Sequence, residues 1–533
     1  MFLQRDLGTS VPMRLYTMTK CHLVVVTVVF LLIIGVSIIF GVPGPNVSHR
    51  FVVSASNTDS ESTSYHVDSP PLSVFHRELW LSAVVNHAPL EQDAKLSVNI
   101  NTSIKVHIPS DLTIVGSNVN KAAESVSSGG NSVIQMGPIH NRTIQINCPE
   151  IKCDEVFLFH LIPIDFTIYK FSISFYRESL TSSKYKEDNQ KKNAFKIISV
   201  DFIFQYYTTE FTYFELLVKF LSFIISEVIC ILFYVNMRKF RLCNWTIEQC
   251  CIAILLPLLI LYNNPLYPLQ YLTTNWFPPC LGYFFQVTFI CTLLLAWLCI
   301  FHGIRISNRT FHKFYLPKIC FIGSFWLIIV LIITWKTYVA YHEPMFDILE
   351  YTQLLIFTVV SVILFGLIYV ILFTVLFIRA CHKLRKLPYF NLRLYFLTFQ
   401  SVIFVSVFTI VLLLHLSQKF TTQILHYTDD NSLQQSQSQS QAQHQSNHKN
   451  LLGFHLLNDI LAYHSTLEFI IIQFTINAYI FLLAFVYSPP NNVQLEMDVK
   501  DDPSLSMIND SDEDVIYESD TETKTFLFSQ RRL

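Results

Sequence analysis

Eight long apolar segments, separated by short polar loops, dominate the pattern of hydrophobic and polar positions along the chain. Each is close to 20 residues, the length that an α-helix needs to cross a hydrocarbon core of roughly 30 Å. The segments are 23–42, 216–235, 250–271, 281–301, 319–337, 354–378, 395–416 and 466–487. The pattern predicts a multi-pass α-helical membrane protein with eight transmembrane helices, an N-terminal helix followed by a seven-helix bundle.

Every second short loop is rich in basic residues, and the alternate short loops carry almost none. The basic loops contain Arg238, Lys239 and Arg241, then Arg305, Arg309, Lys313 and Lys318, then Arg379, Lys383, Arg385, Lys386 and Arg393. The loop 273–280 has no Lys or Arg. The positive-inside rule therefore predicts that both termini are cytosolic. Arg5, Arg14 and Lys20 precede the first segment, which is predicted to be a signal anchor; a cleaved signal peptide is the alternative.

Residues 43–212, between the first two segments, carry shorter runs in which apolar residues alternate with polar ones. These runs predict strands over 78–85, 95–107, 143–147, 155–162, 167–176 and 195–207. A small antiparallel β-sandwich on the lumenal or extracellular side fits them best.

Composition agrees with this organisation. The chain is 52% hydrophobic and only 14% charged, whereas soluble domains are about a quarter charged. A net charge of −2, with no block of basic residues outside the loops, gives no indication of a nucleic-acid partner. The predicted regions are a cytosolic N-terminus (1–22), the signal anchor (23–42), the β domain (43–212), the bundle (213–487) with a Gln/Ser-rich lumenal loop (417–465), and an acidic disordered cytosolic tail (488–533).

Sites of covalent modification follow from this topology. Glycosylation is expected at Asn46, Asn101 and Asn141, which begin Asn-X-Ser/Thr motifs on the lumenal side. The motifs at Asn244, Asn308 and Asn509 fall on the cytosolic side and are expected to stay unmodified. Cys148 and Cys153 are the only cysteines of the β domain, and a disulfide between them is expected in an oxidising compartment; two separate buried thiols are the alternative.

Polar residues inside the apolar segments are candidates for a ligand cavity, because such groups are costly in a membrane. Glu227 lies in the middle of its segment and is read as a cavity-lining or proton-sensing group, or as a helix–helix hydrogen bond. Gln473 and Asn477 are four residues apart and share one helix face, where inter-helix hydrogen bonding is the simpler explanation.

Three prolines within a dozen residues interrupt the segment 250–271. They should kink or break this helix and leave carbonyl groups beside Asn263, Asn264 and Pro265 in need of partners. A binding cavity near the lumenal end and a plain structural kink are both compatible with this sequence.

No spacing of residues indicates catalysis. The chain has no Walker motif, no H-E-x-x-H and no G-x-S-x-G, so a non-enzymatic protein without cofactor or metal is expected. In the tail, Ser511 and Ser519 each precede an acidic residue by three positions, which is the pattern of acidophilic kinases. Phosphorylation there would be read by a basic partner such as a cytosolic sorting adaptor; an inert solvated tail is the alternative.

Several stretches resemble the transmembrane protein 181 family. They are Leu255-Leu-Pro-Leu-Leu-Ile-Leu-Tyr-Asn-Asn-Pro, Trp297-Leu-Cys-Ile-Phe-His-Gly-Ile-Arg, Phe314-Tyr-Leu-Pro-Lys, Arg379-Ala-Cys-His-Lys-Leu-Arg, Leu483-Ala-Phe-Val-Tyr-Ser-Pro and the acidic run that begins at Asp501. The resemblance implies a GOLD-like lumenal β domain joined to a Wntless-like bundle. Wntless-type proteins carry lipid-modified secreted ligands between their helices, although fold alone does not fix function.

Three functions follow in order of preference. The first is a receptor that binds or sorts a secreted or lipid-modified ligand along the secretory or endocytic route, with membrane lipids and sorting adaptors as further partners. It would lie in the plasma membrane or in Golgi–endosomal membranes. The second is a signalling receptor of the G-protein-coupled type, which the absence of D/E-R-Y and N-P-x-x-Y motifs disfavours. The third is a transporter, for which neither inverted repeats nor rows of membrane charges are present.

Overall fold

The computed structural model describes residues 11–56, 64–87, 94–107, 133–148, 152–153, 155–177, 197–303, 310–343, 352–384, 396–411, 413, 463 and 465–490. Within these ranges the chain forms an antiparallel β domain and a bundle of apolar helices. The β domain follows the first long helix, and the remaining long helices follow the β domain.

Two four-stranded sheets form the described part of the β domain. Their strands are β1 (Ser48–Ser56), β2 (Ser64–Asp68), β3 (Leu79–His87), β4 (Ala94–His107), β5 (Val133–Cys148), β6 (Val156–Leu161), β7 (Tyr169–Arg177) and β8 (Ile197–Tyr207). One sheet has the order β1-β8-β3-β6 and the other β2-β7-β4-β5, with antiparallel pairing throughout. A single 3₁₀ turn, Val74–His76, precedes β3.

The core of this domain lies between the two sheets. In β7, Phe171, Ile173 and Phe175 are buried and alternate with partly exposed residues, as expected for a strand with one solvated face. Phe171 packs against Phe204 of the other sheet, with ring centroids 5.9 Å apart. The β domain is therefore a sandwich whose inner faces supply one hydrophobic core.

The helices are α1 (Arg14–Thr17), α2 (Lys20–Gly41), α3 (Thr209–Met237), α4 (Ile247–Tyr262), α5 (Leu269–Leu272), α6 (Phe277–Gly303), α7 (Leu316–His342), α8 (Thr352–Leu384), α9 (Phe396–Val411) and α10 (Thr466–Tyr487). Among the described residues, six are long and apolar enough to cross a membrane: α2, α3, α6, α7 with the turn before it, α8 and α10. The apolar helices α4 and α9 are shorter. These eight helices coincide with the eight predicted segments, and the number of crossings itself stays a prediction.

Hydroxyl side chains fix where several of these helices begin. Thr208 caps α3, Thr246 caps α4 together with Gln249, and Ser465 caps α10, in each case by accepting a hydrogen bond from a backbone N–H of the first turn. Such caps satisfy donors that the helix itself leaves unpaired. The chain therefore passes from β8 into α3 through a single capping residue, which holds the β domain close to the bundle.

Helix α10 is the central helix of the bundle and packs along α2. Gly41 lies so close to it that an added Cβ would come within 2.8 Å of the Leu467 Cα atom. At the opposite end of α10, Arg14 donates through its backbone N–H to the Ser488 carbonyl at 3.0 Å. The two helices therefore run antiparallel, and the N-terminal segment lies beside the end of α10, away from the β domain.

The predicted fold class is confirmed: a multi-pass helical region accompanies an antiparallel β domain. Two differences are informative. Strands β1 and β2 were not predicted, because β1 has adjacent apolar residues instead of an alternating pattern and β2 has only five residues. Helix α4 ends at Tyr262 rather than at residue 271, because the chain turns at Asn264, whose φ is 51°. Pro257 lies inside α4 and does not end it.

Candidate functional site

A charged junction joins the β domain to the bundle, and the turn Val74–His76 presents its first member. Ser73 and His76 cap this turn reciprocally: the Ser73 backbone N–H donates to His76 Nδ1 at 2.8 Å. Arg77 follows with a φ of 61°, a left-handed conformation that a non-glycine residue adopts only when its surroundings hold it there. The chain reversal places the guanidinium beside the first turns of α3.

Glu215 of α3 is the centre of the charged junction, which we define as Arg77, Glu215, Lys219, Tyr267 and Tyr271. Its side chain is 2% exposed and receives three donors. Arg77 Nη1 lies 2.9 Å and the Tyr267 hydroxyl 2.6 Å from Oε2, while Lys219 Nζ lies 2.7 Å from Oε1. The Tyr271 hydroxyl donates to that of Tyr267 at 3.2 Å. A buried carboxylate with this many donors is well stabilised as an anion.

Aromatic rings complete the surroundings of the two cations. The Arg77 guanidinium lies 4.7 Å from the centre of the Tyr207 ring, and the Lys219 ammonium 3.7 Å from that of Tyr267. Cation–π contacts of this length strengthen when they are shielded from water. The β domain and the bundle are therefore joined by ion pairs and ring contacts that solvent reaches poorly.

A backbone contact reinforces the charged junction. Thr212 Oγ1 of α3 donates to the carbonyl of Phe75, the middle residue of the 3₁₀ turn, at 2.8 Å. The Phe75 ring packs on Tyr213 of α3 at 4.7 Å and on Tyr271 of α5 at 5.6 Å. One turn of the β domain thus supplies an acceptor, an aromatic ring and a cation to the bundle.

On the β-domain side, neighbouring groups stabilise the charged forms of Arg77 and Glu78. Burial alone would lower the pKa of Arg77, but Tyr267 and Glu215 outweigh it and raise that pKa above its usual value. The next residue, Glu78, accepts a hydrogen bond from His160 at 2.8 Å. Burial alone would raise the pKa of Glu78, but the His160 bond and the nearby cations Arg77 and Lys336 lower it. Both charges therefore persist at neutral and mildly acidic pH.

A second polar cluster, the amide node, lies inside the bundle and consists of Ser226, Asn263, Gln473 and Asn477. Asn263 Nδ2 donates to Ser226 Oγ at 2.6 Å and to Asn477 Oδ1 at 2.9 Å. Asn263 Oδ1 accepts from Gln473 Nε2 at 2.7 Å. All four side chains are buried. The node joins α3, the end of α4 and α10 by mutually satisfied amides, which is the role that inter-helix hydrogen bonds have in membranes.

The structure brings three of the predicted cavity residues together and separates the others. Asn263, Gln473 and Asn477 meet in the amide node. Glu227 follows the inward-facing Ser226 but is exposed on the outer face of α3, and Pro265 is exposed as well. The predicted grouping is corrected accordingly: successive residues on a helix point in different directions, so Glu227 cannot line the same space as Asn263. Asn264 is buried beside Gly282 of α6.

The structure describes some of the predicted modification sites and not others. Asn46 is exposed between α2 and β1, and Asn101 and Asn141 are backbone partners in the β4–β5 pairing. Cys153 is disulfide-bonded. Cys148 ends β5, and since its side chain lies outside the described parts, the pairing of the two stays a prediction. Ser511 and Ser519 lie outside the described residues.

The sequence analysis did not identify the charged junction. Glu215 and Lys219 could have been found, because a Glu–Lys pair at i and i+4 near the start of an apolar helix is a readable signal. Arg77 carries no such signal, since 138 residues separate it from Glu215 in the chain. In the described parts of the chain, no three His, Cys, Asp or Glu side chains are grouped so as to hold a metal ion.

The fold and the charged junction define the class of protein: a multi-pass membrane protein whose GOLD-like β domain is docked on a helical bundle. The family described as "TMEM181, GOLD domain" matches residues 63–207, and that described as "Wntless-like, transmembrane domain" matches residues 208–491. The chain is 33% identical to human "Transmembrane protein 181" over 517 residues, which cover 96% of this chain and 94% of the human protein. It belongs to the transmembrane protein 181 family.

Proposed function

We propose that this protein is a membrane receptor that binds or sorts a secreted protein or a lipid-modified ligand along the secretory or endocytic route. The observation that carries the proposal is the charged junction, in which Arg77 of the β domain is ion-paired with Glu215 of the bundle at 2.9 Å. A β domain fixed in this way can transmit the presence of a ligand to the helices, because the two parts cannot reorient without breaking buried contacts.

The bundle supports a role for lipid in two ways. It matches the Wntless-like transmembrane domain, and the resemblance implies a bundle that holds the lipid of a secreted ligand between its helices. The outer helices α7 and α8 bury few of their side chains in the structure, whereas α10 is largely buried. An acyl chain can approach such weakly covered helices from the bilayer, while the ligand's protein part faces the β domain.

Localisation belongs to the same proposal. We place the protein in Golgi–endosomal membranes, the plasma membrane or both, with its two termini cytosolic. Cytosolic sorting adaptors would then reach the acidic tail, and the secreted ligand would reach the β domain. Residues 11–15 pack under the end of α10, where Val11, Met13 and Leu15 are buried. This places the N-terminal segment and the start of the tail on one face.

Proximity labelling from the tail, combined with recovery of co-purifying lumenal proteins, tests the proposal. We expect secreted acylated proteins and coat adaptors to be enriched, and the secreted proteins to be lost in Glu215→Gln but kept in Arg50→Gln. Arg50 makes an ion pair with Glu155 in the same domain, but both side chains are more than 40% exposed, so its loss should leave the β domain docked. Enrichment of heterotrimeric G proteins without secreted cargo would instead identify a signalling receptor.

A further inference from the structure

The capped turn before Arg77 contains a histidine that accepts a backbone hydrogen bond only while its Nδ1 carries no proton. His76 Nδ1 accepts from the Ser73 backbone N–H at 2.8 Å and lies 2.9 Å from the Ser73 hydroxyl. A nitrogen can accept these bonds only while it carries no proton. If Nδ1 is protonated, it can donate to the Ser73 hydroxyl or to the Ser73 carbonyl, which lies 3.2 Å away, but the Ser73 backbone N–H then loses its acceptor and faces another donor.

The contacts of the β domain with the charged junction are made from this turn and from the residue that follows it. The Phe75 carbonyl of the turn accepts a hydrogen bond from Thr212. Arg77, the next residue after the turn, has a left-handed φ, and its guanidinium contacts Glu215. A capping box of this type normally carries Glu or Gln at the position of His76, and neither of those side chains becomes cationic on acidification. Histidine in this place adds a pH dependence that Gln would not have.

We propose that His76 is a pH-sensitive latch of the charged junction: neutral His76 holds the turn that docks the β domain on the bundle, and its protonation in acidic compartments loosens the dock. The proposal concerns the docking alone and does not depend on whether the protein carries a ligand. A receptor that crosses from neutral to acidic membranes would gain from it a means of changing the coupling between its two parts.

The direction of the effect follows from the surroundings of the ring. Burial lowers the pKa of His76, although a backbone hydrogen bond to Ser73 opposes this in part. A histidine with a lowered pKa in the folded protein stabilises it fully above the unfolded value of about 6.5, and this contribution is lost as the pH falls through the lower folded value. Protonated His76 would also stand next to the permanent charge of Arg77.

The other groups around the turn do not reproduce this response. They are Tyr206 of β8, whose ring lies 5.0 Å from that of His76, Tyr213 and Glu215 of α3, Tyr271 of α5, the chain neighbours Arg77 and Glu78, and His49 of β1 behind Tyr206. Histidine is the only side chain that ordinarily changes charge between about pH 5 and 8, so His49 is the one member of this group that needs a control.

Two other histidines serve as internal controls. His160 donates to Glu78, so its protonation strengthens that contact and acts in the opposite direction. His49 is exposed and packs on Tyr206 only, at 5.6 Å. Neither makes a hydrogen bond that protonation would break.

Hydrogen exchange of the full chain in lipid nanodiscs tests the latch. Exchange is followed in peptides that cover Ser73–Leu79 and the start of α3, and variants are always compared at the same pH. At about pH 7.2 we expect the parent and His76→Gln to be equally protected, because Gln completes the capping box. At about pH 5.2 the parent should exchange roughly fivefold faster than His76→Gln, the factor that one ordinary hydrogen bond contributes.

His76→Ala should exchange faster at both pH values, while His49→Gln and His160→Gln should keep the pH response of the parent. If His76→Gln does not fold, the unaltered protein still decides the matter: its loosening must have a midpoint below about 6.5 and must survive both control substitutions. Equal exchange of parent and His76→Gln at acidic pH, or loss of the response in either control, would overturn the proposal.

Discussion

At the scale of single residues, the charged junction concentrates its stability in Glu215. This carboxylate compensates two buried cations at once, whereas each cation also retains an aromatic contact. Removing one partner of a buried pair leaves a charge that neither water nor protein satisfies, which costs about 3 to 5 kcal/mol. Among the members of the charged junction, replacement of Glu215 should therefore lower the stability most.

We predict that Glu215→Gln lowers the free energy of unfolding by about 3 kcal/mol and that Arg77→Gln lowers it less, because Lys219 continues to pair with Glu215. Arg50→Gln should change it by less than about 1 kcal/mol, since the Arg50–Glu155 pair is exposed. Thermal unfolding in detergent, followed by size-exclusion chromatography of a fluorescent fusion, gives the order. Equal effects of Glu215→Gln and Arg50→Gln would contradict the structure.

The charged junction also shows where sequence reasoning stops at this scale. The amide node was partly predicted, because Gln473 and Asn477 stand out in an apolar helix and Asn263 lies within a proline-rich run. Glu227 stood out just as clearly, yet it faces outward. The sequence reveals that a membrane helix carries a polar group, but the direction of that group depends on how the helix is rotated against its neighbours, which requires tertiary packing.

At the scale of helices, the amide node should hold α3, α4 and α10 together. We predict that Asn263→Leu destabilises the bundle by about 2 kcal/mol, because Gln473, Asn477 and Ser226 all lose a partner while remaining buried. Glu227→Gln should leave stability nearly unchanged, although Glu227 lies on the same helix as Ser226. The same thermal assay compares the two variants, and a larger effect of Glu227→Gln would argue that α3 is rotated differently.

The approach of α2 to α10 gives a second prediction at this scale. Gly41→Ala places a Cβ within 2.8 Å of the Leu467 Cα atom, a backbone contact that can be relieved only by separating the helices. We expect a loss of about 1 to 3 kcal/mol and a lower yield of monodisperse protein. Gly35→Ala is the matched control, because nothing lies within 4 Å of the added atom on the same helix. Similar yields for both would mean that α2 does not pack there.

Most elements were predictable because their patterns are local. Six strands and eight apolar helices follow from residue periodicity and length, and α10 begins and ends at the predicted residues 466 and 487. β1 and β2 were not predicted, because their strand conformation depends on pairing with the distant strands β8 and β7. Helix α4 ends early because Asn264 has a positive φ, and the side chain of Asn264 packs against Gly282. Residue periodicity therefore does not predict which distant strands pair or where the backbone reverses.

At the scale of the whole molecule, backbone contacts fix which parts of the chain share a face. Val11 donates to the Asn244 carbonyl at 3.1 Å and Arg14 to that of Ser488 at 3.0 Å, so the N-terminal segment, the loop after α3 and the end of α10 lie together. The β domain lies at the other end of α2 and α10. With Arg238, Lys239 and Arg241 in the loop after α3, the positive-inside rule predicts that the first of these faces is cytosolic.

This arrangement predicts which glycosylation motifs are used. We expect glycans at Asn46, Asn101 and Asn141 and none at Asn244, Asn308 or Asn509. Occupancy should be lowest at Asn46. This residue is exposed, but it follows the end of α2 at Gly41 by only five residues and so lies close to the bilayer surface.

Gel mobility of single Asn→Gln variants, with and without glycosidase, measures the occupancy of each site. The triple variant at the three lumenal sites should migrate like the enzymatically deglycosylated parent. A glycan on Asn244 would place the loop after α3 in the lumen, together with the N-terminal segment that the contact between Val11 and Asn244 ties to it, and would contradict the predicted orientation.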